Sequence, residues 1–272
     1  MLRKLAASNA PPSRHLPLIK SVLHGVRISA ITIKNDVLYR SRWNKGTDLY
    51  MHTNELRYPD SSAVDKEGRL NDIGESILYA AACELGTIIE SRPDINKLFT
   101  ISSIKPLNPE IYYYPLGITD KDYYNHEISA AEKIVIEYLN TEITKSIDTV
   151  EDYFSTIALS KFFLKTKIKD LNSTGCIAYP SAEGSKISNK TTYNFAIAPE
   201  VFDKHFVITG ATVYCLTNEE AHYQLNSLNE VTEIDKTGNL SWLYSHDKMI
   251  NRISQGLTLD GTYCENIKCL VQ

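Results

Sequence analysis

The chain has 272 residues, 43% of them hydrophobic and 23% charged, with a net charge of −4. That length and balance suit one large or two small globular domains and exclude a disordered, collagenous or disulfide-stapled chain. No apolar run reaches the ~18 residues of a membrane-crossing helix, so no membrane partner is expected. The small acidic excess argues against a general nucleic-acid binder. Residues 1–35 hold Arg3, Lys4, Arg14, Lys20, Arg27 and Lys34 and no acid. They read as a basic N-terminal extension rather than a transit peptide, and they lack the apolar stretch of a secretory signal. The five cysteines (Cys83, Cys176, Cys215, Cys264 and Cys269) are scattered without a C-x-x-C. Unpaired thiols suit a reducing compartment, so a cytoplasmic location is expected.

In chain order, residues 8–14 read as a loop and residues 17–33 as a short helix followed by a strand. Asp36 to Trp43 alternates as a strand, with Tyr39 and Arg40 on opposite sides. Residues 44–76 are poor in apolar side chains and rich in turn formers, and a loop this long on a packed scaffold is often functional. Ile77 to Ala80 reads as a strand, and Ala81 to Glu90 as a helix stopped by Pro93. Lys97–Ile104 and Glu110–Leu116 read as strands. Ile128, Ala131, Ile134, Val135, Tyr138 and Leu139 recur at helical spacing. Asp148 or Thr149 is placed to cap a second helix through Phe162. Gly175–Tyr179, Tyr193–Ala198 and His205–Leu216 read as strands, and beyond Thr217 the pattern weakens to short strands with a turn at Lys236–Asn239. The whole reads as an α+β fold in three stretches: an extension over 1–35, a ligand-binding domain over 36–216, and a β-rich extension over 217–272 packed on the same domain.

The P-loop, the G-x-G-x-x-G cradle, the G-x-S-x-G elbow and H-E-x-x-H are all missing from the sequence. His222, after Glu219 and Glu220, reads as part of a solvated face rather than a metal ligand, so no metal is expected. Four short patches remain. They are Tyr39-Arg40; Gly68-Arg69-Leu70-Asn71 with Gly74; Leu78-Tyr79 followed by Glu90; and Gly175-Cys176-Ile177-Ala178-Tyr179-Pro180-Ser181 with Asn194 downstream.

In this order the patches resemble the RES-domain family, named for an Arg, a Glu and a Ser. The resemblance spans about residues 36–215 and departs visibly at Leu70, where the family usually has Trp or Ala. It implies a split β-sheet with flanking helices, similar to the ADP-ribosyltransferase fold. It also implies a cytoplasmic toxin that consumes NAD by phosphorolysis or hydrolysis, with an inhibitory antitoxin as a partner. A homodimer is a further possibility it leaves open. Within it Arg40, Glu90, Tyr79 and Ser181 are the expected catalytic residues. Tyr39, Arg69, Gly68, Asn71 and Asn194 are expected to bind NAD.

The residue chemistry fits that expectation. Breaking the nicotinamide–ribose bond gives an oxocarbenium-like ribose, which a carboxylate such as Glu90 stabilises. Arg40 on a strand and Arg69 in a glycine-flanked loop suit anion clamps. Tyr79 offers a stacking face, and Ser181 a hydroxyl for orientation. Each also has a plain reading: an ion-paired Arg40, a surface Glu90, a core Tyr79 among 17 tyrosines, and a turn residue Ser181. Cys176 reads as a small buried hydrophobe. Two alternatives use the same residues: ADP-ribose transfer to a protein, and an NAD- or protein-binding module without turnover.

Overall fold

The computed structural model describes residues 11–24, 26, 30–32, 37–108, 111–120, 124, 127–145, 150–165, 175–183, 192–219, 222–264, 268 and 270. The expected cap at Asp148 or Thr149 lies outside them, as do residues 1–10. In chain order the elements are α1 (Pro12–Leu23), β1 (Ile31–Thr32), β2 (Leu38–Trp43), β3 (Leu78–Ala81), α2 (Glu84–Ser91), β4 (Leu98–Pro106) and β5 (Tyr112–Pro115). There follow α3 (Ala130–Thr144), α4 (Phe154–Lys165), β6 (Cys176–Pro180), β7 (Tyr193–Ile197), α5 (Pro199–His205), β8 (Phe206–Glu219), β9 (His222–Ile234), β10 (Leu240–Trp242) and α6 (His246–Ser254). Helices and strands mix as the sequence implies. Contacts divide them into two units: Met1–Asp36 with Tyr58–Ala82 and Pro106–Phe206, and Val37–Arg57 with Cys83–Lys105 and Val207–Gln272.

In the first unit the strands run β1-β5-β6-β7-β3, antiparallel throughout except for the parallel β5–β6 pair. A parallel neighbour needs a long crossover, and α3 and α4 lie within that connection. Every residue of β6 is buried, as its unbroken apolar run requires of a central strand covered on both faces. The core gathers Ile177, Tyr179 and Ala196 from the sheet and Val135, Leu139, Ile143, Leu159 and Phe163 from α3 and α4. The buried stripe of α3 is therefore Val135-Leu139-Ile143, at i, i+4 and i+8. Ile134, expected on that face, is exposed instead. Ser129 starts α3 with a capping box: its Oγ accepts from Glu132 N–H, and Glu132 Oε2 accepts from Ser129 N–H. Residues 12–14, expected in a loop, already belong to α1, because Pro12 occupies the first helical position, where a missing N–H costs nothing.

In the second unit the strands run β2-β4-β8-β9-β10. β2 and β4 pair antiparallel from Leu38↔Ile104 to Trp43↔Phe99. α2 ends at Arg92, which adopts the left-handed conformation (φ 45°) immediately before Pro93. Proline disfavours a helical residue before it, so the chain leaves the helix there. The second core holds Leu98, Val213, Cys215, Leu228, Met249 and Ile253.

The weak pattern expected after Thr217 is corrected by β9, a strand of 13 residues, and by α6. The inward positions of β9 include Asn226 and Asn229, which are buried like Leu228. Apolar alternation therefore fails to mark the strand. Asn229 is bonded instead: its Nδ2 donates to Tyr244 O at 2.8 Å, and its Oδ1 accepts from Tyr244 N at 3.0 Å. The turn at Asp235–Asn239 does form. The Asp235 carboxylate accepts from Thr237 and Asn239, and these bonds hold its pKa well below the usual range. No helix among the described residues is long and apolar enough to cross a membrane.

Asn229→Ala leaves both Tyr244 backbone groups without this partner. We expect it to cost about 2 kcal/mol in denaturant unfolding, the penalty of a buried group left unbonded. Unchanged stability would show that the bond is not what fixes this strand end.

Candidate functional site

In the first unit the site begins with the loop that carries Gly68, Arg69, Leu70 and Asn71. Gly68 N–H donates to Asn71 O at 3.0 Å, closing a tight turn. A Cβ on Gly68 would stand 2.3 Å from Asn71 Oδ1, so any larger residue must push the Asn71 side chain from its place. Tyr79, on β3, binds the loop with its hydroxyl. It accepts from Leu70 N–H at 2.9 Å and donates to Asn71 Oδ1 at 3.0 Å. Two of the four sequence patches are thereby joined directly. The Tyr79 ring lies half-buried against the core.

Strand register carries the rest of this part. Tyr79 pairs with Ala196, and Ala81 with Asn194, across β3 and β7. Ala196 and Asn194 in turn face Ile177 and Tyr179 across β6. Residues directly opposite share a face, and alternate residues repeat it. Tyr79, Asn194 and Tyr179 therefore lie on one side of the sheet. Ser181, two residues beyond Tyr179, continues that alternation, and its N–H donates to Thr192 O at 2.7 Å. Both Ser181 and Asn194 are buried.

The sequence reading missed the support from α4. Thr156 Oγ1 donates to Arg69 O, Ser160 Oγ donates to Leu70 O, and Lys161 Nζ reaches Asp72 at 2.7 Å and Glu75 at 3.4 Å. The one signal for it was Thr156 and Ser160 standing four apart, on one side of the helix. Hydroxyls buried at that spacing need acceptors, and the loop carbonyls supply them. The Asp72 carboxyl is held below its ordinary pKa, chiefly by the Lys161 hydrogen bond against the opposing effect of burial. Burial alone would lower the Lys161 pKa, but Asp72 and Glu75 raise it.

Arg69, expected as an anion clamp, spends its Nη1 on the end of α3. It donates to Ile143 O at 2.5 Å and to Lys145 O at 3.4 Å. Terminal helix carbonyls have no partner within the helix, and a guanidinium satisfies them well. The side chain binds loop to helix.

Tyr39, Arg40 and Glu90 belong to the second unit. Tyr39 and Arg40 sit mid-strand on β2, opposite Ser103 and Ser102. Thr87, on α2, donates to Tyr39 O at 3.1 Å. The Tyr39 phenol is raised in pKa by burial, then by the charges of Glu84 and Cys83. The Arg40 charge acts, with that of Arg42, to lower the Tyr50 pKa, which burial raises overall. Glu90 stands exposed on the last turn of α2. Cys176 is fully buried, and burial first, then Glu200, pushes its thiol pKa up, the state of an inert core cysteine. Among the described residues no group of three or more His, Cys, Asp and Glu side chains could hold a metal ion. No protein-family model and no curated protein matches the chain.

The Asp72–Lys161 pair gives a pH window. The Asp72 contribution is present above its ordinary pKa of 3.8 and is lost as pH falls through its lowered value. The Lys161 contribution is present below 10.5 and is lost as pH rises through its raised value. Both side chains are partly exposed, so Lys161→Met should cost about 1 kcal/mol near neutral pH. Comparing unfolding of wild type and variant across pH tests this: the difference should shrink at both ends, and a constant difference would refute the pairing.

Proposed function

We propose that this chain is a RES-like enzyme that cleaves the nicotinamide–ribose bond of NAD, on a fold related to the ADP-ribosyltransferases. The observation that carries the reading is the Tyr79 hydroxyl bound to both Leu70 and Asn71. Residues drawn from two separate parts of the ordered motif meet there, and β3–β7–β6 register sets Asn194 and Ser181 on the same sheet face.

The C1′–N bond breaks, and its electron pair neutralises the pyridinium of the departing nicotinamide. The positive charge left on the ribose is met by the Glu90 carboxylate. An oxygen of phosphate, or of water with loss of a proton to solvent, then bonds to C1′. Arg40 takes the anionic part of NAD. In the first unit Tyr79 and Asn71 shape the loop, and Ser181 and Asn194 supply the orienting polar groups; for Arg40 and Glu90, in the second unit, the roles come from the motif order alone. Arg69 serves by fixing that loop to α3.

Nicotinamide release from NAD by the purified protein, with and without phosphate, is the direct test. Phosphate-dependent release identifies phosphorolysis; phosphate-independent release without labelled protein identifies hydrolysis, and labelled protein would identify transfer. Glu90→Gln should lower release by about a hundredfold or more while leaving the folding transition unchanged, as expected for a lost electrostatic stabiliser. A Glu90→Gln protein as fast as wild type would remove the mechanism. Gly68→Ala pushes Asn71 from its place and should raise KM for NAD more than it lowers kcat. The reverse pattern would put the loop in the chemical step.

A further inference from the structure

We infer that a cleft lying wholly within the second unit binds a nucleotide, with its base on the exposed Trp43 and half-buried Trp242 rings and its phosphate on Lys45. The cleft has a volume of about 1080 Å³, at the upper end of small-ligand sites. Trp43 and Trp242, the only tryptophans of the chain, both line it, together with Tyr50, Lys45 and Asp48. Trp43 and Met51, also in the lining, are 41% and 59% exposed. Large apolar side chains left open together mark a binding surface more often than a defect.

Internal bonding decides what the cleft can offer. The Trp242 indole N–H donates to Tyr50 O at 2.7 Å, and the Tyr50 hydroxyl donates to Trp43 O at 2.5 Å. The polar tips are thus turned inward, and the rings present faces. A peptide laid on aromatic side chains uses such tips to meet its carbonyls, so this arrangement favours a stacked planar ring.

The charges complete the ligand. Glu55 lines the cleft, but its carboxylate accepts from Met51 N–H and His52 N–H at 2.8 and 2.9 Å, closing a short helical cap. Arg42 Nη2 donates to Arg57 O. Neither the Lys45 ammonium nor the Asp48 carboxylate has a side-chain partner among the described residues. An ammonium suits a phosphate, and a carboxylate suits the diol of a ribose. Stacking faces, with the Lys45 ammonium and the Asp48 carboxylate left without side-chain partners among the described residues, match base, phosphate and ribose in a cleft of this size.

Because both tryptophans line the cleft, selectively excited tryptophan emission of the full chain reports on it. We expect saturable quenching by AMP. Adenosine should bind wild type about tenfold more weakly, and AMP should bind Lys45→Glu about tenfold more weakly, the cost of one charge-assisted contact. Trp43→Phe should remove much of the amplitude. Absence of saturable quenching by AMP overturns the inference, as does equal affinity for adenosine, equal binding by Lys45→Glu, or the same quenching by inorganic phosphate alone. Glu90→Gln should keep AMP quenching while losing nicotinamide release, so this inference and the NAD reading fail separately.

Discussion

The peptide unit at Leu70 is held from both sides. Its N–H donates to the Tyr79 hydroxyl, and its carbonyl accepts from Ser160. The Leu70 side chain is fully buried in the first core. A loop rich in glycine and polar residues would ordinarily sample many conformations, at a cost of about 1–2 kcal/mol per residue to fix. Here a strand, a helix and a hydrophobic anchor fix it together. Everything proposed for NAD in the first unit depends on this constraint, because the loop then meets a ligand already ordered. Preorganisation of that kind lowers the cost of binding.

The charged contacts around the loop add less than the hydroxyls, for a reason of exposure. Lys161 and Asp72 keep 25% and 35% of their side-chain surface in water. That is a partly screened pair, stronger than the 65% and 59% exposed Lys97–Asp94 pair but far from a buried one. The buried hydroxyls of Thr156 and Ser160 matter differently. Losing the Leu70 carbonyl would strand the Ser160 donor in the core, whereas Thr156 also donates to Tyr153 O at 3.0 Å, and an unmet buried donor costs more than a met one contributes.

Much of the first unit was legible because its strands are short apolar runs bounded by turns. β6 and β7 appear nearly where alternation and composition put them. The second unit was less legible where polar residues do the packing. Asn226 and Asn229 face inward on β9 through hydrogen bonds, and an apolar pattern cannot announce a strand built that way. The motif residues were legible as a set, but their contacts were not. Arg69 looks like an anion clamp from its neighbours in sequence, yet its acceptors belong to a helix end more than seventy residues along the chain. The cleft was invisible for the same reason, since Trp43 and Trp242 come to line one cleft from remote segments.

The two proposed sites follow one rule: a side chain offers a ligand only what its internal bonds leave over. The Tyr79 hydroxyl is used on the loop, so Tyr79 shapes the site rather than donating a proton to it. Trp242 and Tyr50 spend their polar tips on backbone carbonyls, so they act through their faces. Arg69 gives Nη1 to the end of α3, which holds the guanidinium plane against helix carbonyls. That nitrogen is committed to the helix end, and the Nε–Nη2 edge is what the side chain leaves over for an anion. The NAD reading also gives Arg40 an anion to hold, and the point charge of a lysine would be a weak substitute for its planar fork. An Arg40→Lys protein keeps the cation but loses the planar fork, so it should lose NAD affinity much as Arg40→Ala does, whereas Arg69→Lys should mainly lower stability.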